Sequence, residues 1–184
     1  MNDNDLENKI VHFFVENPTL WCREEDKYKI NEIDIINTLR SPIAIGFLMI
    51  WSVFESRLTN GNMLTFNKIH EYSVDISNRI KNNNFDITDE LNHFVHRYTI
   101  KDNHNIHIKH LFYKRDNEKT EFLKLLENER SVVNDIETIF SVVYRFRNNM
   151  FHGNKKVASW LELKMEINYC ISFMIKVLNL LESA

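Results

Sequence analysis

The chain has 184 residues, of which 43% are apolar and 27% charged, so it is long enough to bury a substantial core. Three glycines and two prolines favour long regular elements over a turn-rich β protein, and two isolated cysteines (Cys22, Cys170) fit reduced thiols better than a disulfide or metal framework. A formal charge of −3 and a pI near 6.2 exclude a general electrostatic pull toward nucleic acid, so any polyanion must be held by a local basic patch.

In chain order, Leu6, Ile10, Phe13 and Phe14 predict a short helix that ends before Pro18. Its start has neither the basic head nor the apolar core of a signal peptide, and the sequence reads as cytoplasmic. After a mixed segment, Ile30, Ile33, Ile36 and Leu39 predict a second short helix. Ser41-Pro42 is a helix start, serine as N-cap and proline in the first turn. The following segment is apolar nearly all round from Ile43 to Phe54, too short to span a bilayer, and reads as a helix surrounded by others. Gly46 within it would admit a close backbone, and Asn60-Gly61-Asn62 ends it.

Phe66, Ile69, Tyr72, Ile76 and Ile80 predict the next helix, closed by Asn82-Asn83-Asn84. Thr88, Asp89 and Glu90 open another, since acids in a first turn complement the helix dipole. Residues 99–112 are compatible with a kinked helix or with a small β-hairpin, because Ile106-His107-Ile108 alternates like a strand and Asp102 to Asn105 supplies a turn. Phe122, Leu125 and Leu126 begin a helix that can run on into the next pattern, Val132, Val133, Ile136, Ile139, Phe140 and Val143. Extending that step lands on Arg147 and then Phe151, so an arginine occupies a position of apolar type. His152 and the helix stop Gly153 follow. Val157, Trp160, Leu161, Lys164, Ile167, Ile171, Met174, Leu178 and Leu181 predict a last helix of some seven turns. The expectation is an all-α bundle in one domain, residues 1–40 forming an N-terminal extension and 41–184 the bundle.

Chemistry concentrates at the Arg147–His152 corner. Arginine stays protonated and offers a planar fork of donors suited to phosphate oxygens. Imidazole accepts or returns a proton near neutral pH. Together they suit phosphodiester cleavage by an internal 2′-hydroxyl, with Asn148 beside them to orient the arginine or hold a phosphate oxygen. Glu55 on the apolar helix either pairs with Arg147 or marks that helix's exposed end. Arg145, Arg147, Lys155 and Lys156 form a candidate basic patch, and Lys109, His110, Lys114 and Arg115 a second. Against this stand a packing role for Arg147 and a helix-capping role for His152. The other histidines, His93 and His96 and the set His104, His107 and His110, lack acidic or cysteine partners at a matching step, so no metal is expected.

The run Arg147-Asn148-x-x-x-His152-Gly153, between two helical patterns, resembles the HEPN superfamily, and the earlier helix with Trp51 to Glu55 is similar to the one that faces that motif there. The resemblance implies a helical bundle that dimerises so that two motifs share one cleft. It also implies endoribonuclease activity without metal or cofactor, in toxins of toxin–antitoxin pairs or in antiviral defence. Arg147 would then hold the scissile phosphate, His152 would act as acid or base, Asn148 and Glu55 would support them, and Arg145, Lys155 and Lys156 would meet RNA. The alternative reading is a non-catalytic helical module that binds a partner protein or a nucleotide.

Overall fold

A computed structural model describes residues 3–17, 32–80, 85–99, 106–151 and 162–183, and every regular element among them is helical. The expected turns at 82–84 and 102–105, together with Cys22, His104, His152, Gly153, Lys155, Lys156, Val157, Trp160 and Leu161, lie outside the described residues. Helices α1 (Asp3–Glu16) and α2 (Glu32–Leu39) close on each other around Val11 and Ile35, with Phe14, Ile36 and Leu39 at the edge. Arg40 clasps them through a two-pronged bond to Glu7, at 2.7 and 2.9 Å.

Helix α3 (Pro42–Thr59) begins where Ser41 stands in extended backbone with proline behind it. It ends where Asn60 and Gly61 turn left-handed, at φ 51° and 82°, the conformation glycine takes at no steric cost. Helix α4 (Ile69–Arg79) follows a short 3-10 turn, and α5 (Thr88–Thr99) starts with Asp86 accepting the Thr88 N–H. Helix α6 (Ile106–Leu111) replaces the alternative hairpin: Ile108, Leu111 and Phe112 go inward at helical spacing, which a strand would send to opposite faces. Helix α7 (Asp116–Glu127) stops at Asn128, and α8 (Val132–Phe151) restarts with the Ser131 hydroxyl accepting the Asn134 N–H, so the two patterns do not fuse. Helix α9 (Lys164–Glu182) begins after a turn at Leu163, which interrupts the predicted last helix; its first residues, 157–161, lie outside the described residues.

The central helix is α8, not α3. Every residue from Thr138 to Val143 is buried, and α4, α5, α6, α7 and α9 all pack on α8. Helix α3 buries Phe47, Trp51 and Phe54 but leaves Ile45, Met49 and Val53 on the opposite face about half exposed. Those two sets lie half a turn apart on the 3.6-residue cycle, so the run looks uniformly apolar in sequence while serving one side. Gly46 faces Ile171 of α9 with ordinary room for a Cβ (3.9 Å), so no close backbone approach requires it. Gly46 meets Ile171, and Arg57 pairs with Glu182 at 3.0 Å, so α3 and α9 run parallel.

Where α3, α8 and α9 converge, Phe54 packs edge-on against Phe140 at 5.3 Å and tilted against Phe173 at 6.5 Å. Such contacts stabilise beyond the area they bury. Truncating Phe54 to alanine is expected to lower the unfolding free energy by about 3–5 kcal/mol. Urea denaturation of the purified variant measures this, and a loss below about 1 kcal/mol would mean that the cluster is not the core.

Candidate functional site

Two arginines two residues apart divide the end of α8 between interior and rim. At 100° per residue they point nearly opposite ways. Arg145, expected in a surface basic patch, is 2% exposed and lies inside. Its Nη1 donates to Glu118 at 3.0 Å, its Nε to the Leu111 carbonyl at 3.4 Å and its Nη2 to the Asn149 side chain at 3.4 Å. Asn149 in turn donates to the carbonyls of Leu111 at 2.9 Å and His110 at 3.4 Å. The i, i+4 pair Arg145/Asn149 thus grips the last carbonyls of α6, groups that no intrahelical N–H can satisfy. Burial pushes the Arg145 guanidinium below its ordinary value and nearby Arg115 adds to this, while Glu118 pulls it back up.

Arg147 sits at the rim, half-buried. Its Nη1 donates to the Asn148 carboxamide oxygen at 2.9 Å, and its guanidinium carbon stands 5.6 Å from the centre of the Trp51 ring. Trp51 donates its indole N–H to Glu55 at 3.1 Å, and the other Glu55 oxygen accepts the Leu64 backbone N–H at 3.1 Å. The indole thus links Arg147 to Glu55: its face meets the guanidinium and its edge meets the carboxylate. This orients Arg147 by a cation–π contact on one side and an amide on the other. Asn148 itself is only 9% exposed. The described part of α8 reaches Phe151, so His152 is the next residue in the chain, and it lies outside the described residues with Lys155 and Lys156.

Sequence reasoning missed the roles of Trp51, Glu118 and Asn149 in positioning these groups. The i, i+4 spacings of Trp51 to Glu55 and of Arg145 to Asn149 were the available signal. Glu118 carries none, because it reaches Arg145 from another helix.

A second polar seam joins α5 to α9. Glu90, 1% exposed, accepts the Ser172 hydroxyl at 2.5 Å and the Lys176 ammonium at 2.8 Å. Arg97 pairs with buried Glu166 at 2.6 Å, and His93 stacks on Tyr169 at 4.3 Å with its Nε2 4.0 Å from Glu166. A groove of about 390 Å³ opens beside Glu90, walled by Met165, Asn168, Tyr169, Ser172 and Lys176. Glu90, His93 and Arg97 fall on one helix face, a pattern readable in the sequence once the face is known. Among the described residues no three His, Cys, Asp or Glu side chains gather as a metal site, and no helix is long and apolar enough to cross a membrane. Cys170 is a buried free thiol that burial holds well above its ordinary pKa.

No family profile, curated protein or solved structure matches the chain. The likeness to HEPN ribonucleases therefore stands on the motif's own residues.

Arg145→Ala removes the buried guanidinium and leaves Glu118 and the Asn149 carboxamide oxygen without their donor, and should cost about 2–3 kcal/mol, less than for a fully buried pair because Glu118 keeps some water. Arg147→Ala should cost less, about 1–2 kcal/mol, for a part-exposed cation–π contact and the hydrogen bond to Asn148. Equal losses in denaturant titrations would contradict the division into interior and rim. Burial lowers the His93 pKa from its ordinary 6.5, with Glu166 opposing and Arg97 reinforcing. The folded state then prefers neutral imidazole, so its contribution is present above pH 6.5 and is lost as pH falls through the lower folded value. Stability should decline from pH 7 toward pH 5 more steeply in the wild type than in His93→Gln, and parallel curves would contradict this.

Proposed function

We propose that the protein is a metal-independent endoribonuclease of the HEPN type, acting as a homodimer in which two Arg147/His152 pairs face one RNA-binding cleft. The observation that carries this is Arg147 at the rim of α8, held between Asn148 and the Trp51 ring with His152 next after the described helix. A guanidinium fixed in advance stabilises developing charge without reorganising when the reaction occurs.

In this reading neutral His152 takes the proton from a 2′-hydroxyl, and that oxygen attacks the adjacent phosphorus. The bond to the 5′-oxygen breaks, and an imidazolium at the cleft returns a proton to the leaving oxygen, which leaves a cyclic phosphate. Arg147 neutralises the phosphoryl oxygens during the step. Asn148 steers the guanidinium, Glu55 acts on it through Trp51, and Lys155 and Lys156 meet flanking phosphates. One cation and one imidazole per chain make a sparse site, and a twofold axis doubles it. The biological setting proposed is a toxin restrained by an antitoxin protein, or an effector of antiviral defence, in the cytoplasm.

A second reading has a specific observation behind it. Buried Asn148 and the stack of Arg147 on Trp51 are also what a purely packing role would produce, in a helical module that binds a protein or nucleotide. The two part in one experiment. With EDTA present, Arg147→Ala and His152→Ala should each lower RNA cleavage by about a hundredfold or more while circular dichroism stays that of the wild type. Cleavage retained in both variants would reject the nuclease, and a silent His152→Ala with a destabilised Arg147→Ala would favour the packing role.

A further inference from the structure

The ten residues from Ile106 to Arg115 hold Lys109, Lys114, Arg115 and two histidines and not one carboxylate, in a chain whose net charge is −3. Of their apolar members Ile108, Leu111 and Phe112 are buried and Ile106 is exposed, and Lys109, Tyr113, Lys114 and Arg115 are exposed as well. The segment therefore turns its cations outward. The carboxylates next to it begin with exposed Asp116, and Glu118 turns to Arg145 instead.

This corner is held rigidly to the end of α8. Arg145 and Asn149 grip the carbonyls of residues 110 and 111, and Phe112 wedges beside Phe122 at 5.0 Å. The turn closes with the Arg115 N–H donating to the Phe112 carbonyl at 2.9 Å. Lys114 is held left-handed at φ 56°, a conformation a lysine adopts only at a cost. That turn leaves Tyr113 55% exposed with the Lys114 ammonium 5.2 Å from its ring centre. A tyrosine buried this little contributes little to the fold, yet its ring has the Lys114 ammonium over it and Lys109 and Arg115 nearby in the chain.

We propose that the Tyr113–Arg115 tip is a docking platform for single-stranded RNA: an unpaired base stacks on Tyr113 while Lys109, Lys114 and Arg115 take the neighbouring phosphates. A lone ring flanked by cations suits an unstacked base, whereas a duplex offers its backbone and hides its base faces. The proposal rests on the ribonuclease reading of the adjoining helix end. It assigns that reading a substrate-holding surface anchored by the clamp beside Arg147.

The test uses the full-length protein and a short fluorescent 2′-O-methyl RNA, which lacks the attacking hydroxyl and survives the measurement. Tyr113→Ala should weaken binding by about tenfold and Tyr113→Phe should not, since stacking needs the ring and not the hydroxyl. Lys114→Ala with Arg115→Ala should reduce the slope of log affinity against log salt by about 0.7 for each phosphate no longer neutralised. Wild-type affinity and salt slope in Tyr113→Ala and the double variant would overturn the platform. A parallel cleavage assay with unmodified RNA separates the two ideas. Wild-type cleavage together with unaffected binding in the tip variants rejects the platform alone. Tip-dependent binding without cleavage supports the platform and rejects the nuclease. A wild type that neither binds nor cleaves rejects both.

Discussion

A single buried guanidinium organises the candidate-site end of this protein. Arg145 reaches from α8 to the carbonyl end of α6 and to Glu118 on α7, and with Asn149 it adds polar ties to three elements that also meet through Leu111, Phe112 and Phe122. Taking a guanidinium out of water is costly, and only a full set of acceptors makes it tolerable. Here a carboxylate, a carboxamide and a carbonyl provide that set. Helical geometry then obliges Arg147 to face the other way, toward Trp51 and the rim. The position of the candidate phosphate-binding group is in this sense a consequence of where its neighbour is locked.

The rest of the fold supplies a rigid frame for that lock. Phe54, Phe140 and Phe173 unite α3, α8 and α9 in one aromatic cluster. The seam between α5 and α9 uses Glu90 with Ser172 and Lys176, and Glu166 with Arg97, where apolar residues would have cost less. Such pairs specify register more than they add stability: α9 sliding one residue along α5 would strand two buried carboxylates.

Much of the helical order was legible because local chemistry and the fold agree. Ser41-Pro42, Asn60-Gly61 and Thr88 mark boundaries where backbone preference alone decides, and the structure puts breaks at each. Less legible was whatever depends on neighbours. The apolar run of α3 does not say that only one side is covered, and Ile45, Met49 and Val53 remain exposed. The periodicity of α8 marked Arg147 as the intruder on an apolar face, whereas the interior arginine is Arg145. That choice belongs to Glu118 and Leu111, far off in sequence, and no periodicity encodes it. Alternation at Ile106-His107-Ile108 is too short to tell strand from helix, and packing on α8 decided for helix. For the corner itself, residues and spacing supplied Arg147 and Asn148, but not the indole that holds the arginine.

Amide hydrogen exchange in Arg145→Met tests the clamp most directly, since methionine keeps the aliphatic stem and removes every donor. Faster exchange is expected at residues 106–116 and the start of α7 alone, with the amides of α3 and α9 protected as in the wild type. Unchanged protection in that segment, or a uniform loss across the whole bundle, would contradict the claim that this one side chain fixes the corner on which the site is built.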